Sequence, residues 1–146
     1  MKNFEEKISL DKLVNRWTVL GDEKRTEEQL ELMTSDVNYQ VYFGDQMVVE
    51  TVGREKLIQE FKTHATEVNR YFSLDGQHIV DFNRAGATGT LYSQMKMVRV
   101  NSEGQEVLTD YSVKYQDTYV KVNKSWRISQ RVAYYVIVNS KALSTD

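Results

Sequence analysis

The segment Tyr111–Val138, YSVKYQDTYVKVNKSWRISQRVAYYVIV, limits the folds open to this chain. Two runs of alternating residues flank a polar turn at Asn123-Lys124. Tyr111, Val113, Tyr115, Asp117 and Tyr119 share one parity in the first run. Trp126, Ile128, Gln130, Val132, Tyr134, Val136 and Val138 share one parity in the second. Alternation at a period of two marks strands that turn one face to a core. A two-residue turn sets Tyr119 opposite Ile128, Asp117 opposite Gln130, Tyr115 opposite Val132 and Val113 opposite Tyr134. Both apolar stripes then share a face, and a one-residue slip would separate them. Asp117 is expected on that face as a structural acid, with Arg127 and Arg131 on the other face and out of its reach.

The rest of the chain supplies helices first. Leu10, Leu13, Val14, Trp17 and Leu20 recur at helical spacing and predict a helix over Ser9–Leu20, stopped by Gly21. The preceding residues, about 1–8, read as an extension. Thr26 with Gln29 three residues on predicts a capped second helix carrying Leu30, Leu32 and Met33, broken at Ser35-Asp36. Val37, Tyr39, Val41 and Phe43 predict a strand, and Met47–Val52 a second. Gly53 opens a third helix with Leu57, Ile58, Phe61 and Ala65 on one side. Phe72, Leu74, His78, Val80 and Phe82 are assigned one face of the next strand, with a bulge at Asp75-Gly76. Leu91, Ser93, Met95 and Met97 mark the strand after it. The tail from Asn139 reads as frayed. Helices followed by a meander of strands mean α+β: a curved antiparallel sheet wrapped around N-terminal helices as a cone, or cystatin-like roll, in one domain over 1–146.

Composition narrows the function. A net charge of -2 argues against a nucleic-acid partner. No Cys is present, and the two His, His64 and His78, stand in no metal-binding spacing, so no metal site is expected. No apolar stretch is long enough for a membrane span, and the N-terminal MKNFEEKISL lacks the apolar run of a signal peptide. The expected location is the cytoplasm. Nine Tyr, five Phe and two Trp suit an apolar wall that carries a few hydroxyls.

Several local patterns carry a resemblance. They are Gly53-Arg54-Glu55 opening a helix, Gly76-Gln77-His78 followed by Ala87-Thr88-Gly89-Thr90-Leu91-Tyr92, and Tyr115-Gln116-Asp117-Thr118-Tyr119-Val120-Lys121 followed by Trp126-Arg127-Ile128. Together they resemble the SnoaL-like branch of the nuclear-transport-factor-2-like superfamily over nearly the whole chain. That branch includes polyketide cyclases, dehydratases and a dehydrochlorinase. The resemblance implies a cone fold and no organic cofactor. It also implies a proton-handling pair: an Asp after the first helix and a His from the sheet. The Asp position matches Asp22. The His position falls at Tyr71 to Ser73, best at Ser73, and none of these residues is His; the nearest is His78.

Asp22 and His78 are therefore the expected catalytic pair, and Trp17, Tyr39, Phe72, Tyr111, Tyr115 and Tyr134 the expected pocket wall. His64 reads as a charge near a helix C-terminus. The expected function is a cofactor-independent lyase or isomerase on a small apolar organic substrate. The alternative is a ligand-binding or dimerisation domain without chemistry. A homodimer is expected through the outer sheet face, where Tyr135 and Ile137 are placed.

Overall fold

The structure, a computed structural model, describes residues 2–143. Its elements are α1 (Lys2–Asp22), α2 (Thr26–Leu30), β1 (Met33–Phe43), β2 (Gln46–Val52), α3 (Arg54–Glu67), β3 (Arg70–Asn83), β4 (Gly86–Val100), β5 (Glu106–Val122) and β6 (Ser125–Ala142). One curved sheet runs in the order β2-β1-β6-β5-β4-β3. The α+β architecture is the expected one. The sheet is mixed, however, because β1 pairs parallel with β6. Helix α3 carries the chain to the far edge, and three hairpins bring β6 back beside β1 in the same direction. No helix among the described residues is long and apolar enough to cross a membrane.

Helix α1 buries Leu10, Leu13, Val14, Trp17 and Leu20 against the concave side of the sheet. It begins at Lys2, so most of the expected extension is helical. Glu6 explains this: it accepts hydrogen bonds from Lys121 Nζ at 3.0 Å and Trp126 Nε1 at 2.5 Å, tying the first turns to the closing hairpin. Helix α2 is shorter than expected and has no side-chain cap. Thr26 and Gln29 are buried instead. The Ile128 N–H donates to the Leu32 carbonyl at 2.9 Å, and Met33 already belongs to β1. Strand pairing thus overrides the helical pattern, and Ser35-Asp36 lies inside a strand. At the other end β6 continues to Ala142, held by a 2.8 Å hydrogen bond between the Thr109 and Ser140 hydroxyls, so Asn139–Ala142 is not frayed. The rest of the expected frayed tail, 144–146, lies outside the described residues.

Two bulges decide which side chains enter the cone. In β5–β6, Tyr119 pairs with Ile128 as expected, but Thr118 pairs with Gln130, leaving Ser129 unmatched. An extra residue on one strand reverses its alternation beyond that point. Arg131, Ala133 and Tyr135 therefore face inward, and Asp117 lies opposite Arg131 rather than Gln130. In β3–β4 the register shifts between Asp75 and His78, at the expected bulge. Tyr71, Ser73 and Asp75 point inward before it, and His78, Val80 and Phe82 after it. Phe72 and Leu74 are consequently outside, 57% and 62% exposed. The outer face also carries exposed Ile79 and Ile137, whereas Tyr135, expected there, packs inward against Tyr111.

Candidate functional site

Asp22 is the last residue of α1, where the helix dipole disfavours a carboxylate. Strand β3 compensates. Ser73 donates its N–H to Asp22 Oδ2 at 2.7 Å and its hydroxyl to Oδ1 at 2.8 Å. One bond to each oxygen fixes the carboxylate plane and leaves lone pairs free. Gly21 permits this placement, because a Cβ there would lie 2.6 Å from Gln29 Nε2 on α2. The small residue lets α2 close against the end of α1.

Asp22 and Ser73 border a cavity of about 400 Å³ between α1, α3 and the sheet. Its walls include Trp17, Tyr39, Phe61 and Tyr115. Phe61 meets both Trp17 and Tyr39 edge to face, with ring centres 6.0 and 5.4 Å apart. Such contacts give a stiff apolar wall. Burial pushes the Tyr39, Tyr115 and Tyr135 hydroxyls far above their usual pKa, so all three stay neutral.

A second polar group lies on the same cavity. His64 Nδ1 is 2.8 Å from the Tyr71 hydroxyl, and its Nε2 is 3.3 Å from Arg99 Nη2. Arg99 also donates to the Tyr111 hydroxyl at 3.1 Å. Burial, then the neighbouring guanidinium, holds His64 below its usual pKa. Burial is also the main reason that Tyr71 is pushed up to about 12. Both groups are therefore neutral at physiological pH.

Asp117 and Arg131 lie beneath the aromatic wall, both side chains fully buried. Arg131 Nε and Nη2 donate to the two Asp117 oxygens at 2.8 and 2.7 Å, and the Tyr119 hydroxyl adds a third bond at 2.6 Å. The guanidinium carbon sits 4.4 Å from the Trp17 ring centre and 4.0 Å from that of Tyr115. Burial opposes the charge on Arg131, but Asp117 outweighs it and the pKa is raised. The pair thus stiffens the floor on which Trp17 and Tyr115 rest.

Sequence reasoning joined Asp22 to His78; the structure does not. His78 Nδ1 is 2.7 Å from Asp11 Oδ1, and Nε2 is 2.9 Å from the Tyr119 hydroxyl. Asp11 lies three turns before Asp22 on α1, roughly 16 Å along the axis at the helical rise. His78 is also absent from the cavity wall. Burial draws its pKa down, although Asp11 works against that. Gly89 makes room for it, since a Cβ there would lie 3.2 Å from His78 Nε2 and 2.7 Å from the Tyr119 ring. Trp17, Tyr39, Tyr111 and Tyr115 line the cavity as expected. Phe72 and Tyr134 do not. The bulges turn both outward, and Tyr134 stacks on Tyr42 of β1, ring centres 5.0 Å apart. Tyr71 and Tyr135 were missed for the same reason of parity, whereas Arg99 shares the inward parity of Met95 and Met97 and was not carried into the wall. No group of three or more His, Cys, Asp or Glu among the described residues is placed to hold a metal ion.

The SnoaL-like domain model matches residues 4–132. The chain belongs to the SnoaL-like domain family. No curated protein sequence matches it. Among solved structures, a candidate scytalone dehydratase from Novosphingobium aromaticivorans superposes with a TM-score of 0.80 at 17% identity, over 97% of this chain and 91% of that one. A type 2 hexachlorocyclohexane dehydrochlorinase gives 0.75 at 11% identity, over 99% and 93%. The β subunit of a candidate aromatic-ring-hydroxylating dioxygenase, also from N. aromaticivorans, gives 0.73 at 14% identity, over 95% and 94%. At these identities the likeness shows the fold. Within this SnoaL-like cone, the residue that the resemblance set at the sheet's His position is Ser73, and it is the partner of Asp22.

Proposed function

We propose that the protein is a cofactor-independent lyase or isomerase acting on a small apolar carbonyl compound. One observation carries this reading: the Asp22 carboxylate, fixed by two bonds from Ser73, borders an aromatic cavity that also holds the Tyr71 hydroxyl. Asp22 takes a proton from the carbon next to the carbonyl. Tyr71, kept protonated, donates a hydrogen bond to the carbonyl oxygen as charge develops there. The C–H electron pair becomes the new C=C bond, and the β-hydroxyl leaves as water with the proton that Asp22 took, which returns Asp22 to its carboxylate form. Ser73 orients the base. Two structural neighbours whose names denote loss of water and of hydrogen chloride support an elimination.

Cyclic β-hydroxyketones test this, with enone absorbance following dehydration and NMR following α-proton exchange in deuterated solvent. Asp22→Asn is expected to slow both by a factor of about 100 or more, the usual scale of a general base. An unchanged rate in Asp22→Asn rejects the assignment. A second reading, a binding domain without chemistry, draws on Ser73 standing where the resemblance places a His. Saturable binding of cyclic ketones with no exchange or dehydration would favour it.

A further inference from the structure

Among the described residues, Arg99 is the one Lys or Arg side chain on the cavity wall, and it is half-buried. Its hydrogen-bond partners are Tyr111, His64 and the Met97 sulfur at 3.4 Å. None is an acid, and no ion pair among the described residues includes it. A guanidinium carries five N–H donors in a planar fork. Two are used on strong acceptors here and one on a weak sulfur acceptor. The two remaining donors belong to a half-buried cation with no ion-pair partner among the described residues.

The neighbouring hydrogen bonds have a fixed direction. Arginine can only donate, so His64 Nε2 accepts from Arg99. The neutral imidazole then carries its proton on Nδ1 and donates it to the Tyr71 oxygen. The Tyr71 proton is left without an acceptor among the described residues. Tyr111 likewise accepts from Arg99, which leaves its own proton free. Two hydroxyl protons and two guanidinium N–H groups thus lack acceptors among the described residues at one cavity.

We propose that the ligand is a small apolar carboxylate, whose anionic head is held by Arg99 together with the Tyr111 hydroxyl, leaving the Tyr71 hydroxyl for the ligand's carbonyl. This rests on the reading of the cavity as a substrate site and names the class of substrate. A charge-assisted hydrogen bond favours a carboxylate over a neutral oxygen. The two acids on the wall do not occupy the subsite: Asp22 is bound by Ser73, and Glu60 accepts from the Thr51 hydroxyl at 2.7 Å. They repel an anion, so the head takes the Arg99 side and leaves the ligand's carbon skeleton for Asp22.

The test is calorimetric titration at neutral pH with 2-naphthoate and its uncharged isostere 2-naphthamide. The acid is expected to bind about tenfold tighter or better, the scale of one charge-assisted hydrogen bond. Arg99→Gln is expected to abolish that preference while leaving the amide's affinity within about threefold of wild type. Tyr111→Phe, which removes only a hydroxyl, is expected to weaken the acid alone and serves if Arg99→Gln does not fold. Equal affinity, or a preference that survives in both variants, overturns the proposal and leaves the cavity reading standing. Binding of neither probe overturns both. Asp22→Asn separates the readings: it is expected to keep naphthoate binding while losing turnover.

Discussion

Asp117 and Arg131 meet face to face across β5 and β6 through two hydrogen bonds, with both side chains out of water. Removing one partner leaves the other charge buried and unpaired. Arg131→Met or Asp117→Asn is therefore expected to lower folding stability by about 3–5 kcal/mol. Arg131→Met combined with Asp117→Leu is expected to recover most of that loss, because the penalty comes from the unpaired charge rather than from absence of the pair. Urea unfolding of the three variants measures this. Additive losses in the double variant would contradict it.

Ser73 makes a narrower case. Ser73→Ala keeps the backbone N–H bond to Asp22 and deletes the hydroxyl bond. If Ser73 acts by orienting the base, kcat is expected to fall by a factor of about 5–10, the worth of one hydrogen bond, with KM unchanged. Ser73→Thr, which restores the hydroxyl, is expected to recover the rate. A rise in KM at constant kcat would place Ser73 in binding instead.

His64 couples the anion subsite to pH. It faces Tyr71 and Arg99, with Glu67 nearby, and must be neutral to accept from Arg99. Burial and then Arg99 put its folded pKa below the 6.5 of an unfolded histidine. Between those two values the unfolded chain binds the extra proton, so stability rises with pH through that window. The stability is fully present above 6.5 and is lost as pH falls through the folded value. His78 shares the direction, so the comparison must be made against a variant. His64→Phe is expected to flatten part of the acid limb of stability against pH, and to weaken carboxylate binding at neutral pH. An acid limb identical to wild type would remove His64 from this role.

The fold was largely legible because the chain writes its alternation in long runs. The hairpin at Asn123-Lys124 kept its predicted register from Val122 to Tyr119. Legibility failed at Ser129, whose unmatched position reverses the face of Arg131, Ala133 and Tyr135. Alternation counts residues and does not register one that a strand leaves unpaired. The same effect at Gly76-Gln77 put Phe72 outside and Ser73 against Asp22. There the bulge was foreseen, and carrying its parity change through the strand would have found Tyr71 and Ser73. His64 left no local signal, since it meets Arg99 of β4 only in the folded chain. Asp22 was found through family resemblance, and its neighbours supply the physical reason for its place.

Asp75 offers a test away from the cavity wall. It lies inside the cone, and Thr18 and Ser93 each donate a hydroxyl to its Oδ1 at 3.0 Å. Burial raises its pKa above the ordinary 3.8, more than those two bonds lower it. The folded chain therefore holds this proton more tightly than the unfolded chain. Stability falls as pH rises from 3.8 through the raised value, and the cost is complete above it. Asn presents an oxygen where Oδ1 stands and carries no charge. Asp75→Asn is expected to raise the urea midpoint at neutral pH, with the gain vanishing once the solution is acid enough to protonate Asp75 in both states. Because Asp75 does not border the cavity of Asp22 and Arg99, turnover and naphthoate affinity are expected to stay at wild-type values. A lower midpoint at neutral pH would mean that the charged carboxylate stabilises the cone through its two hydroxyl donors, and that burial is the smaller effect.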